Sequence, residues 1–121
     1  MKQLPNGLTV FNATPHPISF WEPGWEEAVI VESDGVVNAT PVEKVVGQVG
    51  PAKLVTTTFE PNRDGWGIIE RAFGAGADVV VGSVIAAQAY PGKVVAMVPA
   101  PGFERVPPDQ KRMSPDRFII Y

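Results

Sequence analysis

Short apolar runs, cut by glycine, proline and acidic turns, dominate the chain and predict a β-rich fold with little helix. Leu8-Thr9-Val10-Phe11-Asn12 alternates apolar and polar residues as a half-buried strand does. The Pro15-His16-Pro17 corner then bends the chain into a second strand, Ile18-Ser19-Phe20-Trp21. Beyond a polar turn, Ala28-Val29-Ile30-Val31-Glu32 is a β-branched strand, and Ser33-Asp34-Gly35 signals a hairpin returning through Val36-Val37, so residues 18–40 read as a meander. Val42-Glu43-Lys44-Val45-Val46 is ambiguous. Past Val49-Gly50-Pro51, the threonine-rich Lys53-Leu54-Val55-Thr56-Thr57-Thr58-Phe59 suits a pleated sheet.

In the second half, Asn62-Arg63-Asp64-Gly65 marks a turn. Ile68, Ile69, Ala72 and Phe73 then fall at helical spacings, which predicts a helix from about Trp66 to Phe73, ended by Gly74-Ala75-Gly76. Asp78-Val79-Val80-Val81 is an apolar strand, after which Gly82-Ser83 opens an alanine-rich helix over Val84 to Tyr90, stopped by Pro91-Gly92. Lys93 to Val98 is the next strand. Prolines at 99, 101, 107, 108 and 115 make the following stretch an extended arm, and Phe118-Ile119-Ile120-Tyr121 either pairs as a last strand or packs on a neighbouring chain. The pattern describes an α+β protein: a mixed or antiparallel sheet, one or two short helices and a proline-rich C-terminal arm. It is one domain, with a body over residues 1–98 and the arm and terminal strand over 99–121.

Composition narrows the function classes. With 121 residues, 45% hydrophobic and 19% charged, the chain supports one core. The net charge of -3 provides no basic field for nonspecific nucleic-acid capture. Residues 1–60 hold three basic and seven acidic side chains and residues 61–121 seven and six, so an anionic ligand is expected in the second half. Without cysteine and with one histidine, disulfide scaffolds, thiol catalysis and the usual zinc sites are excluded. The first residues lack the apolar run of a signal peptide and no stretch spans a bilayer, so a cytoplasmic protein without membrane contact is expected. No cofactor or metal-ligand motif is present.

Few groups offer chemistry. His16, between two prolines, is a rigidly presented imidazole that either holds the strand corner or meets a ligand, and no nucleophile motif accompanies it. Gly82 and Ser83 open a helix, where a cap serine and free amides suit an anion as well as an ordinary helix start. Arg105, Lys111, Arg112 and Arg117 stand in the arm with Phe103, Phe118 and Tyr121 interleaved, a composition fitting a nucleotide's phosphates and base or a docked, solvated arm. No catalytic residue is assigned.

The opening Asn12-Ala13-Thr14-Pro15-His16-Pro17-Ile18 resembles the Asn-Leu-Thr-Pro-His-x-Ile start of small proteins common in bacteriophages and prophages, with Ala13 in place of the usual leucine. Val80-Val81-Gly82-Ser83 and the helix after it resemble the second half of that group. Residues 99–121 have no counterpart in it. The resemblance implies a phage context, an α+β fold, homo-oligomers, and binding of a host factor or host immune signal, as in sponge proteins that sequester nucleotide messengers of Thoeris or related defence systems. The motif adds Asn12 and Thr14 to His16 as ligand-binding candidates, beside Gly82, Ser83, Arg105, Arg112 and Arg117. The leading expectation is therefore a non-catalytic, oligomeric phage accessory protein that sequesters a small anionic ligand such as a cyclic nucleotide. A protein-binding inhibitor bearing Trp21 and Trp25, or a structural phage component, is the alternative; a nucleotide-processing enzyme using His16 is a further one.

Overall fold

A computed structural model describes residues 1–121. The short apolar runs become strands: β1 (Lys2–Gln3), β2 (Thr9–Asn12), β3 (Ile18–Phe20), β4 (Val29–Val31), β5 (Thr40–Val49), β6 (Ala52–Glu60), β7 (Val79–Val81), β8 (Val94–Pro99) and β9 (Met113–Ile119). Helix α1 spans Arg63–Gly74 and α2 spans Val84–Ala89. Seven strands form one mixed sheet in the order β1-β2-β7-β8-β9-β3-β4, which curls into a nearly closed barrel, while β5 and β6 form a separate two-stranded hairpin. The protein is thus α+β with a strong β bias. No helix is long and apolar enough to cross a membrane.

Alternation along the strands divides the core in two. Val10, Ile18, Phe20, Val31 and Val81 point inward and fill the barrel with Leu4. Their neighbours Phe11 and Val80, with Val94 and Ala96, point outward beneath α1 and α2, where Ile69, Ala72, Ala86, Ala87 and Tyr90 cover them. Of the three parallel pairs, β2/β7 is connected by way of α1, β7/β8 by α2, and β3/β9 by most of the chain between them.

Several elements differ from the sequence expectation. Val36-Val37 is not a returning strand: Asp34 N–H donates to the Asn12 carbonyl and Val37 N–H to that of Ala13, so the segment caps the end of β2 instead of pairing with β4. Helix α1 begins at Arg63, because the Asn62 side chain accepts from Gly65 N–H as an N-cap and turns the expected turn into the first helical turn. Gly65 sits inside this helix for a steric reason, since a Cβ there would lie 1.9 Å from the Tyr90 hydroxyl oxygen. The C-terminal stretch holds a single 3-10 turn, Pro108–Gln110, and then β9, which is central: it pairs antiparallel with β8 and parallel with β3.

Candidate functional site

The amino-terminal motif residues converge on the seam where the barrel closes. Asn12, with no exposed surface, donates from Nδ2 to the carbonyls of His16 (2.7 Å) and Val31 (3.0 Å), tying β2 to β4 across the gap between the sheet's margins. Its Oδ1 accepts from Thr14 N–H at 3.0 Å and from the Thr14 hydroxyl at 2.7 Å, and the Ser33 hydroxyl donates to the Thr14 carbonyl at 2.6 Å. No buried side-chain nitrogen or oxygen lacks a partner anywhere in the chain. Asn12 and Thr14 therefore spend their polar atoms on the backbone around them, while the His16 side chain stands exposed on the corner above.

Gly82 and Ser83 occupy the β7 to α2 junction. A Cβ on Gly82 would lie 2.7 Å from Val94 Cγ1 and 3.2 Å from Ala86 Cβ, so glycine lets the helix seat against β8. The Ser83 hydroxyl accepts from Ala86 N–H at 3.1 Å and caps α2. Neither residue lines a cavity.

The arginines separate. Arg105 is exposed, and Arg117 borders a cavity of about 320 Å³ with three carboxylates, Glu22, Glu104 and Asp116. Arg112 lies half-buried against two rings, its guanidinium carbon 5.6 Å from the Trp21 centroid and 5.1 Å from that of Phe103, which meet edge to face. The only ion pair within the chain joins the amino terminus to Asp34, so the charge of Arg112 meets aromatic faces and no carboxylate. Beside it, Lys111 is half-buried, and its Nζ donates to the Glu104 carbonyl at 3.2 Å.

Lys111 borders two adjoining open clefts, and Arg112 one of them. A cleft of about 460 Å³ lies between the β3–β4 edge and the C-terminal loop, lined by Ser19, Ile30, Phe103, Asp109, Lys111 and Arg112 among others. A second, of about 470 Å³, adjoins it across Ser19, Asp109 and Lys111 and adds Ile18, Met97 and Met113. Together they offer apolar floor, two cations, one carboxylate, a hydroxyl and an aromatic ring, which suits a small amphipathic anion. Lys111, one of the arm's cations in the sequence reading though not one of its expected ligand residues, belongs to this group. Trp21, which completes the arginine's surroundings, stands far away in sequence.

Neither a protein-family model, a curated protein nor a solved structure matches the chain. No group of three or more histidine, cysteine or acidic side chains is arranged to hold a metal ion.

Proposed function

We propose that the chain is a non-catalytic binding protein that works as a homo-oligomer and sequesters a small anionic ligand of the cyclic-nucleotide class, in the manner of a phage accessory protein directed at a host immune signal. The observation that carries this reading is Arg112, half-buried between Trp21 and Phe103 with no carboxylate partner, next to Lys111 at the edge of a cleft. A guanidinium packed against aromatic rings with no carboxylate partner leaves its N–H donors free for phosphate oxygens. Asp109 in the same cleft favours a ligand that also brings a donor, such as a ribose hydroxyl or a base amine. His16 lines neither cleft, although its neighbour Pro17 lines the second, and it has no nucleophile motif beside it, so turnover is not part of the reading.

Calorimetry against cyclic nucleotides and ADP-ribose derivatives tests it. Wild type is expected to bind at least one of them, and Lys111→Ala with Arg112→Ala to lose about 1.5–3 kcal/mol for each charge-assisted bond removed. Arg112→Lys should recover only part, because an ammonium lacks the two-pronged donor edge. Absence of binding by wild type removes the proposal. Hydrolysis of a nucleotide by wild type, lost in His16→Gln, replaces it with the enzyme reading.

A further inference from the structure

The β5–β6 hairpin leaves the body and has nothing packed beneath most of its length. Every residue of the two strands is exposed except Gly47 and Phe59, which are half-buried. Val42, Val45, Val46, Val49, Leu54 and Val55 show between 38% and 63% of their surface to solvent. No backbone group of residues 40–60 bonds to backbone outside the hairpin, so the outer edges of both strands are unpaired. The neck, by contrast, is clamped. The fully buried Tyr90 hydroxyl accepts from Asn62 N–H at 2.9 Å and donates to the Asn38 carbonyl at 3.1 Å, and Asn62 Nδ2 donates to Asn38 and Thr40. An element anchored this firmly at its root and bare along its shaft is built to meet another molecule.

Register identifies the two faces. Val45 pairs with Val55 and Glu43 with Thr57, while Gln48 pairs with Lys53 nearer the tip, so one face carries an apolar centre with an acidic residue on the body side and a basic one on the tip side. The opposite face is uncharged toward the tip, with Val49 across from Ala52 and Gly47 across from Leu54. Charge decides what covers them. The hairpin holds two lysines, Lys44 and Lys53, and two glutamates, Glu43 and Glu60, so it attracts neither nucleic acid nor an anionic lipid surface. The charged face is instead complementary to itself. A two-fold axis through the Val45/Val55 row stacks two hairpins base to tip and brings Glu43 of each beside Lys53 of the other.

We infer that the hairpin is a dimerisation arm whose occupant is a second copy of this chain. Base-to-tip stacking carries each tip, with Val49 and Leu54, toward the neck of the other copy. Ten residues at about 3.3 Å, two strands about 4.8 Å apart, give a face of roughly 300 Å². One face against its twin therefore buries about 600 Å², the small area of a weak, concentration-dependent contact.

The inference rests on the oligomeric part of the proposed function and not on its ligand. Sedimentation velocity with light scattering, across a wide range of protein concentration, tests it. Wild type should be a dimer or a multiple of one. Val55→Glu places a charge at the two-fold centre and should raise the dissociation constant at least about a hundredfold, with an unchanged circular-dichroism spectrum. Glu43→Lys and Lys53→Glu should each weaken assembly, and the two together should restore it, an outcome that indiscriminate stickiness does not produce. A monomeric wild type, assembly unaffected by Val55→Glu, or no restoration by the double reversal each overturns the inference. Calorimetry on the Val55→Glu monomer then reports separately whether a nucleotide binds.

Discussion

The barrel seam and the hairpin arm are built from similar β-forming residues and reach opposite ends of the burial scale. At the seam, Val10 and Asn12 have no exposed surface, and each polar atom of the Asn12 side chain is bonded; along the arm, Val45 and Val49 are more than half exposed. The difference lies in what each strand meets. Strand β2 has a neighbour on either edge and packing on both faces, so its residues are over-determined, whereas β5 has one partner strand and water elsewhere. Substitutions at the seam should therefore act on folding, and those on the arm on association.

The largest expected effect is at Asn12. Replacing it with Ala leaves the Val31 carbonyl and the Thr14 N–H without their partner, while the Thr14 hydroxyl and the His16 carbonyl keep each other, and should lower stability by about 3–4 kcal/mol in chemical denaturation. A loss under about 1 kcal/mol would mean that the barrel closes without this residue and would erase the contrast. Next comes Gly65→Ala, which drives a methyl group into Tyr90 and should cost about 2–3 kcal/mol. Because Tyr90 also clamps the neck, amide exchange at Asn62 should accelerate in this variant beyond what the global loss explains. The smallest effect belongs to the arm: in the monomeric Val55→Glu background, Leu54→Thr should move stability by no more than about 0.5 kcal/mol. A larger change would show that the arm folds back on its own body.

Much of the strand inventory was legible because glycine and proline delimit it. The Gly50-Pro51 turn and the threonine run after it mark β6, and Pro91-Gly92 ends α2. Exposure of the arm was not legible, since Val45-Val46 and Leu54-Val55 put apolar residues side by side and such runs read as buried. The start of α1 was obscured by Gly65, whose reason is a tyrosine distant in sequence. At the candidate site, the sequence pointed to Arg112 and Phe103 but could not bring Trp21 to them, because that contact depends on β3 lying beside β9. Asn12 stood out as part of a motif, and only the closing of the sheet reveals that its amide joins two strands.

The position of β9 bears on how the chain acquires its shape. The hairpin of β3 and β4 is made early along the chain, yet its only strand partner in the rest of the sheet is β9, with Phe20 opposite Met113. Until that late segment arrives, β3 exposes a bare edge and the inward-facing Phe20 has only part of its lining. Closure is thus a long-range event that involves a large loop entropy, and folding should be slow for a chain of this size, with a rate set by capture of the last strand more than by formation of either helix. During synthesis the early hairpin waits unpaired, which makes the nascent chain, more than the finished protein, the state most exposed to misassembly.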